Sequence, residues 1–99
     1  MAINLIVKEA AELDIIEIVD WYDFKKQGLG DRFYKELLTE FDKIILRPTS
    51  YSYYKKDFSR AILKYFPCLI ILKATEKEII IYSIFYGGRN PALINKKIN

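Results

Sequence analysis

Ninety-nine residues with 52% hydrophobic and 15% aromatic content are enough for one core and leave no room for a second domain, so the whole of 1–99 is expected to be a single domain. Cys68 is the only cysteine and histidine is absent, which excludes an intrachain disulfide, a Ser-His-Asp triad and a histidine metal site. The net charge of +3 hides an asymmetry: residues 1–49 carry seven Lys or Arg against ten Asp or Glu, and residues 50–99 carry nine against three.

Ile3 to Val7 reads as a short first strand. With no basic n-region, cleavage site or long apolar run, the chain is expected in the cytoplasm, without membrane contact. From Glu9 to about Lys26 the period becomes helical, with Ala11, Ile15, Ile18, Val19 and Tyr22 on one stripe and Glu12, Asp14, Glu17 and Asp20 mostly on the other face. Gly28 suits the end of that helix. A second stripe of Phe33, Leu37, Phe41, Ile44 and Ile45 stops before Pro48, and the short Gly28–Asp31 link implies a helical hairpin.

A loop is expected from Thr49 to Lys56, then three strands over Phe58–Phe66, Cys68–Thr75 and Glu78–Tyr86, joined as an antiparallel meander by turns at Pro67 and Glu76-Lys77. The runs Leu69–Leu72 and Ile79–Ile81 do not alternate cleanly, as central strands covered at least partly on both faces do not. Residues 92–99, with Lys96 and Lys97, read as a basic tail. Cys68, beside Leu69 and Ile70, reads as a buried structural thiol, with a reactive thiol as the alternative.

Six of the eight tyrosines lie in the basic second half, at 51, 53, 54, 65, 82 and 86. Basic groups among aromatics suit a polyanion, and a solvated sheet is the plainer alternative. Arg60 and Lys64 fall at i and i+4 on one strand face, either a functional pair or an edge-strand solubilising one. Tyr82 and Tyr86 share a face of the last strand, which leads into Gly87-Gly88-Arg89-Asn90-Pro91, a turn whose guanidinium can grip two phosphate oxygens.

Taken in order, Ala11-Glu12, Asp20-Trp21-Tyr22, Gly28-Leu29-Gly30-Asp31-Arg32-Phe33, Pro48, Arg60, Phe66-Pro67 and Arg89-Asn90-Pro91 resemble the RelE/ParE superfamily of bacterial toxins, found in type II toxin–antitoxin or plasmid-stabilisation systems. The resemblance implies an α+β fold of β-α-α-β-β-β order, a helical hairpin packed on a small curved antiparallel sheet with a basic concave face. It also implies growth inhibition, a cognate antitoxin as partner, oligomers formed with that antitoxin, and no cofactor. Two activities diverge within the group: ParE-like members poison DNA gyrase, and RelE-like members are endoribonucleases that cut ribosome-bound mRNA. A nuclease would use Arg60, Lys64, Tyr86 and Arg89 as its catalytic groups, and target binding in either case falls to Lys55, Lys56, Arg60, Lys64, Tyr82, Arg89 and Asn90. Tyr86-Gly87-Gly88-Arg89-Asn90-Pro91 departs from the His-Gly-Arg-Arg-Asp-Pro-like ending of many relatives, and the basic cluster is thin. The resemblance therefore leans toward the ParE-like activity, with the nuclease and a non-toxic antitoxin-binding relic as alternatives.

Overall fold

The computed structural model describes residues 4–75 and 77–86. The chain runs β1 (Asn4–Val7), α1 (Glu9–Lys25), α2 (Leu29–Leu46), β2 (Ser52–Lys55), β3 (Phe58–Ile62), β4 (Cys68–Ala74) and β5 (Glu78–Tyr86). The five strands form one sheet in the order β1-β5-β4-β3-β2, and the helical hairpin packs on one of its faces.

This is the α+β architecture that the sequence implies, with three differences of detail. Ser52–Lys55 is a strand rather than loop, pairing antiparallel with β3 through Ser52↔Arg60 and Tyr53↔Ser59. The sheet is mixed rather than antiparallel, because β1 runs parallel to β5 from Asn4↔Glu78 to Val7↔Ile81. A hairpin of two helices between β1 and the later strands carries the chain back to the starting edge, which permits a parallel pairing that adjacent strands with short turns cannot make. Third, β3 ends at Ile62, four residues before Phe66.

α2 follows its sequence pattern closely. Phe33, Leu37, Phe41 and Ile44 recur along one side and all are buried. α1 does not. Its buried residues are Ala11, Asp14 and Ile18, and Asp14 is only 1% exposed, whereas Leu13 and Ile16 are 59% and 58% exposed. The acid expected on the solvent face is in the core for a specific reason. β1 stops at Val7, its last backbone bond running from the Lys8 N–H to the Ile81 carbonyl at 3.0 Å. Beyond that point the Asp14 carboxylate takes over, accepting from the Ile84 N–H and the Ser83 hydroxyl at 3.0 Å each. A buried carboxylate is tolerated where donors converge on it, and these donors are otherwise without a strand to bond.

At the same place the β4–β5 register shifts, from Ile71↔Ser83 to Leu72↔Ile81, so that Tyr82 is the extra residue of a β-bulge. A slip of one residue exchanges the faces of everything after it. Tyr82 therefore points to the face away from the helices, while Ile84 and Tyr86 pack under them.

The two helices meet at Gly28 and Gly30. Gly28 takes φ +87°, a conformation that suits glycine, and turns the chain into α2. Gly30 is buried against α1: its N–H donates to the Asp23 carboxylate at 2.8 Å, supplying α2 with a cap from the preceding helix. A Cβ at this position would press into the Val19 carbonyl and lie 2.8 Å from the Asp23 carboxyl.

Two outcomes are expected. Gly30→Ala forces the helices apart and lowers unfolding free energy by roughly 3 kcal/mol, the upper end of overpacking costs, read from urea denaturation. Asp14→Ala strands two buried donors and costs about 3 kcal/mol, while Ser83→Ala, which removes only one partner, costs about 1 kcal/mol in the same experiment.

Candidate functional site

The sheet face opposite the helices is built by alternation. β3 contributes Phe58, Arg60 and Ile62, and β4 contributes Leu69, Ile71 and Lys73, with Arg60 opposite Ile71 and Ile62 opposite Leu69. β5 adds Ile80, Tyr82 and Phe85, and β1 adds Ile6 beside Ile80. Phe58, Ile71 and Phe85 form a small second core, flanked by half-buried Tyr54, Leu69 and Tyr82.

Two lysines converge on this layer. The Lys73 ammonium lies 4.7 Å from the centre of the Phe58 ring and 5.5 Å from that of Tyr82, and the Lys8 ammonium lies 5.4 Å from the Tyr82 ring. Phe58 meets Tyr82 edge-on, with centroids 5.0 Å apart at 90°. Ring faces attract cations, so these contacts hold the ammonium groups over the sheet. Neither Lys8 nor Lys73 was singled out in the sequence. The signal for Lys73 was available, since it follows Ile71 at i+2 on β4 and must share its face.

Of the residues expected to act together, Arg60, Lys64 and Tyr86 stand in different parts of the fold. Arg60 is exposed on the outer face, in register with Ser52 and Ile71. Lys64 is not on that strand face, because β3 has ended; its ammonium sits 5.1 Å from the Tyr65 ring, and it lines a hollow with Glu36, Glu40 and Lys43 of α2. Tyr86 lies on the helix face, 5.5 Å from the Trp21 ring, and so does not share a face with Tyr82. Lys55 ends β2 opposite Phe58, and Lys56 forms the β2–β3 turn with a positive φ of 56°. Arg89 and Asn90 lie outside the described residues, as does the tail 92–99.

Beneath the helices, the Phe66-Pro67 step places Phe66 in an aromatic cluster. Its ring stands edge-on to Tyr22 at 5.0 Å and to Phe33 at 5.7 Å. Tyr22 and Cys68 share a hydrogen bond of 3.9 Å between hydroxyl and sulfur. Cys68 is core filler, and burial pushes its thiol up to about 11, partly offset by the Tyr22 hydroxyl. Burial and the adjacent thiol push Tyr22 up as well. At the far end of α2, burial and the Glu40 carboxylate, which accepts from the Tyr51 hydroxyl at 3.2 Å, push Tyr51 up to about 12.

Two helices on one face of a five-stranded mixed sheet, with a cation-bearing opposite face, make this an α+β protein. The chain is similar to a chain of the chromosomal ParDE TA (toxin–antitoxin) system from P. aeruginosa, with a TM-score of 0.76 and 15% identity over 86% of this chain and 96% of that one. At that identity the likeness is one of fold. No protein-family model matches the sequence, and no curated protein does. Among the described residues no helix is long and apolar enough to cross a membrane.

Tyr22, Tyr51 and Cys68 all hold their protons more tightly in the folded chain than in the unfolded one. Stability is therefore complete below the ordinary thiol value of 9.0 and is lost as pH rises toward about 11, where the unfolded chain ionises first. Urea midpoints measured at successive pH values should be level up to about pH 9 and fall above it, and Cys68→Ala should make that fall shallower.

Proposed function

We propose that the chain is the toxin of a type II toxin–antitoxin pair, held inactive by a cognate antitoxin, and that it acts by gripping DNA gyrase as ParE-like toxins do. The fold it shares with a chain of the P. aeruginosa ParDE system supports the toxin class. The dispersal of Arg60, Lys64 and Tyr86 supports the choice of mechanism. Cleavage of RNA requires a base for the 2′-hydroxyl, a cation for the phosphate and an acid for the leaving oxygen, all at one scissile bond. Arg60 lies on the outer face, Lys64 against α2 and Tyr86 beneath Trp21. Three of the four groups a nuclease would use thus stand in three places, which favours binding over cleavage.

The outer face is instead suited to binding. It offers fixed cations, exposed Arg60 and an apolar rim, and a protein partner can meet all three at once. On this reading Arg60, Lys55 and Lys56, with Arg89 and Asn90, are binding residues rather than catalytic ones, and expression without antitoxin arrests growth.

Purified protein added to gyrase should inhibit supercoiling of relaxed plasmid, and Arg60→Ala should raise the concentration needed by about tenfold, the loss of one buried polar contact at an interface. Messages in arrested cells should remain whole. Unaffected supercoiling at large excess, together with discrete cuts in translated messages, would overturn the proposal in favour of the endoribonuclease.

A further inference from the structure

The helical hairpin has an outer surface that the proposed activity leaves unused. Between α1 and α2, on the side turned from the sheet, lies an open hollow of about 400 Å3 lined by Ile15, Ile16, Val19, Asp20, Asp31 and Tyr34. Leu13 extends its apolar surface one turn before Ile16 on α1, and Leu38 does so one turn after Tyr34 on α2, these last two each 42% exposed. Leu13, Ile16, Tyr34 and Leu38 thus meet solvent together, and none of them belongs to the core that holds the hairpin to the sheet. Gly30 fixes the width of the groove, because α2 approaches the Val19 carbonyl too closely there to leave space for a Cβ. The groove is therefore formed before any ligand arrives.

Charge narrows the ligand. From Glu9 to Phe24, α1 carries six acids and no Lys or Arg, and all but Asp14 are exposed. At the groove Asp23 accepts from the Gly30 N–H and Asp31 pairs with Lys35 at 3.1 Å, while among the described residues no cation lies within ion-pairing distance of Asp20. One free carboxylate beside aliphatic side chains is a poor site for a metal ion, and an acidic helix repels the phosphates of a nucleic acid or an anionic membrane. A segment with Lys or Arg on one side and aliphatic residues on the other meets both features. Helical form suits it, since side chains at i, i+3, i+4 and i+7 of a third helix continue the ridge-and-groove packing of the first two.

We propose that the groove between α1 and α2 docks a basic amphipathic helix of a partner protein, with aliphatic side chains entering beside Ile16, Val19 and Tyr34 and a Lys or Arg meeting Asp20. This goes beyond the toxin reading and does not depend on it, since the residues concerned stand on the side of the molecule opposite Arg60.

The test uses the full chain and a fluorescein-labelled peptide of about 18 residues, long enough to hold a helix, with Leu at i, i+3, i+4 and i+7 and Lys elsewhere. Anisotropy compares it with the same composition in scrambled order and with a version carrying Glu for Lys. The striped basic peptide should bind. Ile16→Ser should weaken it about tenfold and Asp20→Asn about threefold, both at exposed positions that keep the fold, whereas Asp57→Asn, the same charge change in the β2–β3 turn, should leave it as in wild type. Absence of binding, equal binding of the scrambled peptide, tighter binding of the acidic one, or wild-type affinity in both groove variants overturns the proposal. So does a gain in affinity when Lys96→Gln and Lys97→Gln are combined, which would give the groove to this chain's own residues 92–99. A dimer in sedimentation that Ile16→Ser dissolves would give it to a second copy and overturn the proposal equally.

Discussion

Asp14 is the constraint around which the rest is arranged. A four-residue β1 cannot accompany a nine-residue β5 to its end, and every backbone donor left in the core needs an acceptor. The carboxylate of a helix residue provides it, and in doing so ties α1 across the sheet at one fixed height. The bulge lies at the same spot. Ser83, the residue beside the extra one, turns its hydroxyl to Asp14, and from there β5 continues with its faces exchanged. Because of that exchange Tyr82 serves the outer face and Tyr86 packs against Trp21.

Much of the fold was legible because it is local. The stripe of Phe33, Leu37, Phe41 and Ile44 needs only a count of 3.6, and the unbroken apolar runs of β4 and β5 mark two of the three strands that have neighbours on both sides. What escaped was non-local. The rule that puts acids on the wet side of a helix fails at Asp14, whose partners lie 69 and 70 residues away. Ser52–Lys55 is short and polar and becomes a strand through pairing with β3 rather than through its own preference. The candidate site divides in the same way. Alternation placed Arg60 correctly on an outward strand face, but it ran on to Lys64 after β3 had ended, and it joined Tyr82 to Tyr86 across a bulge that period counting does not register.

The charge asymmetry of the sequence acquires a spatial meaning. The acidic half makes the helical hairpin, and the basic half makes the strands that face away from it, so the molecule is polarised across its thickness. The hairpin side is held by aromatic packing among Tyr22, Phe33 and Phe66, which leaves the opposite face free of any part in joining helices to sheet. Aromatic rings hold Lys73 on that face, and the core does not depend on it.

The parallel pairing of β1 with β5 also governs the order of events during synthesis. Asn4 finds its partner in Glu78, so the first strand made waits for the last, and the hairpin emerges with Phe33, Leu37 and Ile44 uncovered. Contacts of such long sequence separation close late, since the loop entropy is lost before they form. The outer face, which draws on β3, β4 and β5 together, comes into being in that final step. A nascent chain therefore carries uncovered helices and an unfinished outer face until its last strand slides between the first and the fourth.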